Sequence, residues 1–154
     1  MKLAEALILR KDYKTRIAEI TQRLNENVIV QEGDTPSENP ATLTAELEEM
    51  YDLFTRLIQQ INRTNSATHF DDTLSLADAI VLRDMLTQKQ AIYRNMATNA
   101  TTTQTRRRIT ASELKYRSAI DVPATQKQAD GYAKAARELD TKIQSFNWLV
   151  DLIE

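Results

Sequence analysis

The sequence predicts an all-α protein, an antiparallel bundle of four long helices with coiled-coil character and a small β-ribbon at one end. Three observations carry that prediction. Apolar residues recur at alternating steps of three and four along most of the chain, which keeps one stripe on one helical face. Helix breakers are scarce, with two glycines and three prolines in 154 residues. Those breakers cluster: the stretch from Asn25 to Pro40, NENVIVQEGDTPSENP, holds one of the glycines and two of the prolines.

The elements follow in order. Tyr13, Ile17, Ile20 and Leu24 give the first helix its seam, over roughly residues 2–27. β-Branched Val28-Ile29-Val30 then favours an extended run, Gly33 and Pro36 turn the chain, and Asn39-Pro40 restarts it. There Asn39 is an N-cap, and the proline sits at the first helical position, where its missing N–H costs nothing. The second helix, roughly 40–65, carries Leu43, Leu47, Met50, Phe54, Leu57 and Ile61. Ser75 opens a Ser-Leu-Ala-Asp capping box ending at Asp78. The third helix, roughly 75–100, has a broader apolar set of Leu76, Ala79, Ile80, Leu82, Leu86, Tyr93 and Met96. Residues 101–122 are too polar and irregular for a helix of this period. Their Leu114, Tyr116, Ala119-Ile120 and Val122 pair in the predicted ribbon with Val28-Ile29-Val30. Pro123 restarts the chain into a fourth helix, roughly 123–153, with Tyr132, Ala136, Leu139, Ile143, Phe146, Val150 and Ile153.

Composition bounds the function. The chain has the length of one domain and a core to match. Its formal net charge of −2 supplies no global field for nucleic acid or an anionic membrane. The N-terminus MKLAEALILRKDYK reads as an amphipathic helix start, because Glu5 interrupts its apolar stretch and no small-residue cleavage site follows. No run of eighteen apolar residues exists, so no transmembrane segment is expected. With no cysteine, no disulfide framework or thiolate site can form, and a cytoplasmic protein is expected.

Chemistry is excluded on similar grounds. His69 is the single histidine, so a di-iron centre built on two Glu-x-x-His repeats and a zincin motif both fail within one chain. Gly33 and Gly131 are isolated, and no phosphate loop is present. The cluster His69-Phe70-Asp71-Asp72 reads as a polar interhelical loop, not a ligand set; no metal and no cofactor is implied. No catalytic constellation is visible. Arg106-Arg107-Arg108 is the one dense basic run. It reads as a solvated loop or an inter-subunit salt-bridge patch, with nucleic-acid binding as an alternative.

In an up-down-up-down bundle, helices 1 and 3 begin at the end where helices 2 and 4 finish. Polar residues gather at that end. They include Asn62 and Asn65, Asp78, Arg83 and Asp84, and a stripe of Arg137, Asp140, Gln144, Asn147 and Asp151. A row of interhelical hydrogen bonds that fixes register is the plain reading, and a site for a small polar ligand is the functional one. The same end is apolar all round, through Leu3, Leu7, Ile8 and Leu9 on helix 1 and Trp148, Leu149 and Leu152 on helix 4. One bundle face cannot bury both sides of a helix. Leu7, Trp148, Leu149 and Leu152 are therefore expected at a contact between copies of the chain, making a homo-oligomer.

Five motifs in order, LAEALILRKDYKTRI, VIVQEGDTPSENP, INRTN, LADAIVLRDML and ARELDTKIQSFNWLVDLI, together resemble an uncharacterised bacterial family. Its members carry the name septicolysin, which implies a pore-forming toxin. The resemblance spans essentially the whole chain. It marks Gln31-Glu32-Gly33, Asn62, Thr64-Asn65, Arg83-Asp84 and Asn147-Trp148 as candidate positions without roles; Val81 stands where an acidic residue is more usual. Gln31, Glu32, Asn62, Asn65, Arg83, Asp84, Gln144 and Asn147 are the ligand-binding candidates. Pore formation needs a long apolar helix or alternating strands that close into a barrel, and neither pattern is visible.

Overall fold

The computed structural model describes residues 1–106 and 117–154, and their side chains over 1–101 and 117–154. It is all-α. Four long helices follow one another: α1 (Leu3–Asn27), α2 (Pro40–Ala67), α3 (Leu76–Arg106) and α4 (Val122–Leu149). The chain forms two compact units, one of residues 1–75 with 145–154 and the other of residues 76–144.

In the first unit α1 and α2 are antiparallel. Arg23, late in α1, bonds Glu38 just before α2, while Leu3 and Thr64, at the opposite ends, both bond the C-terminal segment. The core between them is aliphatic: Leu3, Ile17, Ile20, Leu43, Leu57 and Ile61 are all buried. All but Leu3 are seam residues of the heptad pattern, and burying each large side chain stabilises by roughly 1.5–3 kcal/mol. Helix α1 is capped by Glu5, whose carboxylate accepts from the Lys2 backbone N–H at 2.7 Å. The residue that interrupts the apolar stretch in sequence is thus a capping group. Asn39 caps α2 as expected, its Oδ1 accepting from Ala41 N at 2.9 Å with Pro40 next.

The second unit pairs α3 with α4 antiparallel, since Arg83 reaches Asp140 and Tyr93 packs edge-on against Tyr132 with centroids 5.3 Å apart. Its buried residues include four alanines, Ala79, Ala97, Ala129 and Ala136, along with Leu76 and Ile143. Small residues let two helix backbones approach closely but bury little apolar area.

Several boundaries differ from the sequence reading, most of all the ends of α3 and α4. Helix α3 continues through the threonine-rich run to Arg106, where Thr101 Oγ1 bonds back to Ala97 O at 2.9 Å. Helix α4 begins at Val122, one residue before Pro123, because Asp121 caps it: its Oδ1 accepts from Ala124 N at 3.0 Å. It ends at Leu149, short of 153, because the start of α1 takes over its terminal carbonyls. Lys2 Nζ donates to Leu149 O at 3.0 Å and Leu3 N to Val150 O at 2.9 Å.

The predicted β-ribbon is not seen: among the described residues there is no strand, only isolated bridges Lys2–Asp151 and His69–Ser75. Val28 keeps helical φ/ψ as the C-cap of α1, and Val122 belongs to α4. Leu114 and Tyr116 lie outside the described residues.

Candidate functional site

The residues singled out in the sequence fall into three places. Gln31 and Glu32 lie in the α1–α2 connection, where Gly33 adopts a φ of +95° and Asp34 N bonds Gln31 O at 2.9 Å. Positive φ suits glycine, which has no Cβ to clash. Asn27, buried at the end of α1, holds this loop from inside. Its Nδ2 donates to Arg23 O at 2.8 Å and its Oδ1 accepts from Glu38 N at 2.9 Å. Outside it, Arg23 forms a bidentate pair with Glu38 through Nε at 3.0 Å and Nη2. That hydrogen bond holds the Glu38 carboxyl below the ordinary carboxylate range and raises Arg23. A cleft of about 310 Å³ results, lined by Gln31 with Glu26, Asn27, Asp34, Thr35 and Ser37 among others.

Asn62 and Asn65 sit at the far end of α2, one exposed and one half-buried. From Pro40 to Asn62 the helix rises roughly 33 Å, so Gln31 and Asn62 do not share a site within this unit. Asn62 and Asn65 accompany the C-terminal clamp instead. Thr64, fully buried, donates to Gln60 O at 2.8 Å and accepts from Ile153 N at 2.9 Å. Arg63 Nη1 reaches Glu154 O at 3.3 Å. Lys2 pairs with Asp151 at 2.9 Å, and its hydrogen bond lowers that carboxyl. Phe70 and Phe146 pack with centroids 4.9 Å apart, and Asn147 is 5% exposed.

Arg83 and Asp84 are in the second unit. Arg83 donates through Nε to Asp84 at 2.9 Å and through Nη1 to Asp140 at 2.7 Å, which raises its pKa above the ordinary guanidinium value. Its fork is engaged by two carboxylates, an arrangement that ties α3 to α4. Gln144 is exposed near the end of that unit. Among the described residues, no buried side-chain nitrogen or oxygen lacks a hydrogen-bond partner. The sequence signal for Asp140 lay in the polar stripe of the fourth helix; Asn27, Arg23 and Glu38 were missed, because a capping asparagine and a flanking ion pair leave no periodic trace.

The loop His69–Asp72 has a structural job. Asp71 Oδ1 accepts from Thr73 N, Thr73 Oγ1 and Leu74 N at 2.8–2.9 Å, which is a side-chain-mediated turn. Of the basic run, Arg106 ends α3, and Arg107 and Arg108 lie outside the described residues. No helix among the described residues is long and apolar enough to cross a membrane.

The apolar candidates divide. Trp148 is 57% exposed and Leu149 72%, while Leu7 and Leu152 are half-buried. Within the chain, then, the indole has little to cover it. Other large apolar side chains are open too: Ile29 is 83% exposed in the loop, and Val81, Leu82, Met85, Ile92 and Met96 stand open along α3.

A family profile described as "Family of unknown function (DUF6847)" matches residues 10–152. The chain is also similar to a solved structure, described as a functionally unknown conserved protein from Corynebacterium diphtheriae. The two share 42% identity over 99% of each chain, with a TM-score of 0.93. No curated protein matches the chain.

Proposed function

The chain belongs to the family of unknown function DUF6847, and we propose that it works as a self-associating helical interaction module of the cytoplasm. The observation that carries this is Trp148, 57% exposed beside Leu149 at 72%. A tryptophan anchors interfaces because it buries a large rigid area for little conformational entropy. Half-buried Leu7 and Leu152 extend the same apolar end of the first unit. The absence of cysteine favours the cytoplasm.

The polar candidates support a register-fixing role more than a ligand site. Arg83 has its donors on Asp84 and Asp140, leaving no free fork for a carboxylate or phosphate.

Trp148 is the chain's single tryptophan, so its fluorescence reports on this contact alone. On dilution through the micromolar range, its emission should shift to the red as the mass by light scattering falls. A monomer at all concentrations, with red emission throughout, would rule out the reading.

A second reading, attachment to membranes, is favoured by Val28, Ile29 and Val30, which stand 58%, 83% and 44% exposed on one loop. Its neighbours Glu26, Glu32 and Asp34 oppose anionic lipid. Dye release from liposomes, lost on Ile29→Asp, would support it; intact liposomes at neutral and mildly acidic pH would end it.

A further inference from the structure

Helix α3 carries two apolar seams. The first runs through Ala79, Leu86, Tyr93, Ala97 and Ala100, with Arg83 and Gln90 at the same register, and every one of these is buried or half-buried against the rest of the fold. The second is one position earlier, about 100° around the helix axis. It passes through Leu82, Met85, Lys89, Ile92 and Met96 at steps of three and four, and all five are exposed. Val81 widens it, and the apolar members are 41–58% exposed. Two seams at about this angle are what a helix shows when it packs against two neighbours. One neighbour is α4.

We propose that the second seam of α3 packs antiparallel against the same seam of a second copy, about a two-fold axis near Lys89. Three features select a second copy as the occupant. The seam is self-complementary: Leu82 and Met96 lie seven residues either side of Lys89, and Met85 and Ile92 lie within a residue of equal spacing. A reversed copy therefore sets apolar against apolar, which an isologous contact requires. The single charge in the seam is also turned aside, because Lys89 Nζ sits over the Tyr132 ring of its own chain at 5.7 Å from the centroid. That position removes much of the repulsion of two ammonium groups meeting at the axis. The area is adequate as well. Val81, Leu82, Met85, Ile92 and Met96, this exposed, present on the order of 400 Å² of apolar surface, the size of the largest patch on a typical monomer, which is often functional. Two copies then bury on the order of 800 Å² of apolar core, which a polar rim of Gln88 and Asn95 brings towards a standard interface.

This contact uses a different helix, in the other unit, from the Trp148 surface.

The chain has no cysteine, so Lys89→Cys places a lone thiol on the proposed axis, where it meets only its own twin. Mild oxidation should link most of that variant into disulfide dimers, in the wild-type and the Trp148→Ala background alike. Glu48→Cys, exposed on α2, is the control and should stay unlinked. Ile92→Lys should lower the wild-type mass by light scattering with helix content unchanged, and combined with Trp148→Ala should leave a monomer. A wild-type mass for Ile92→Lys, or Lys89→Cys linking no better than Glu48→Cys, overturns the proposal. Retention of full mass by Trp148→Ala alone would instead remove the Trp148 contact and leave this one standing.

Discussion

The two units solve the same packing problem with different side chains. The first seals α1 and α2 with leucine and isoleucine, then closes both ends by specific bonds. Arg23, Asn27 and Glu38 hold the loop, and Lys2, Thr64 and the C-terminal segment hold the other end. The second buries four alanines, Ala79, Ala97, Ala129 and Ala136, with Leu76, Ile143 and the tyrosine pair supplying the larger side chains. An alanine seam brings helices close, but each buried methyl contributes far less than a buried leucine. The second unit leaves Leu82, Met85, Ile92 and Met96 exposed along α3, as the first leaves Ile29, Trp148 and Leu149 exposed, so each unit presents apolar surface for a partner to cover.

The sharpest way to break that contrast is to cut one core residue from the first unit. Ile61 is 2% exposed, and Ile61→Ala should cost about 2–5 kcal/mol, measured by urea unfolding. The matching change in the second unit adds volume: Ala97→Leu, at a site 2% exposed, should cost about 1–3 kcal/mol through overpacking. If Ala97→Leu is neutral, the alanine seam is loose and the contrast fails.

Next in size is Trp148→Ala. Truncating a buried interface tryptophan typically costs about 2 kcal/mol or more of binding. Sedimentation should show a lighter species while far-UV circular dichroism stays close to wild type. An unchanged mass with lost helix would place Trp148 in the core of the monomer.

Much of this architecture was legible in the residues, and the exceptions have physical causes. The seams of α1 and α2 were readable because heptad spacing on Ile17, Ile20, Leu57 and Ile61 reports burial directly. The broad apolar set of the third helix was legible only as breadth. It mixes two seams, and Leu82 and Leu86 look alike until their exposure separates them. The ribbon failed because β-branched Val28-Ile29-Val30 has a local preference for extension but no strand beside it among the described residues. The end of α4 was misplaced because the seam pattern continues to Ile153, while the bonds from Lys2 and Leu3 that end the helix come from the other end of the sequence. The ligand candidates came from the polar end of the predicted bundle and, for Gln31 and Glu32, from the family resemblance. Arg83 and Asp84 are joined in an ion-pair network with Asp140, and a register role looks the same in sequence as a binding role.

A smaller effect tests how far the second unit depends on its ion triad. Arg83 has a side chain 27% exposed, between carboxylates 52% and 43% exposed. Partly solvated pairs contribute little, so Arg83→Met should cost about 1 kcal/mol or less. A loss as large as that of Ile61→Ala would mean that charge, and not the alanine seam, holds α3 to α4.

The smallest effect concerns the loop clamp of the first unit and its dependence on pH. Arg23 donates to Glu38 and holds that carboxyl below its ordinary value. A group whose folded pKa is depressed adds stability above its unfolded pKa and loses it as pH falls through the folded value. For a glutamate the unfolded value is about 4.3, so the clamp contributes fully near neutrality and fades in acid. Both partners are exposed to solvent, and the contribution is modest and weakened by salt. Glu38→Gln should therefore lower the urea midpoint slightly at pH 7, with the gap to wild type closing below about pH 4. The same gap should narrow in high salt at pH 7. A difference that is constant from pH 7 to pH 3 would mean that Glu38 acts through its backbone bond to Asn27 and not through its charge.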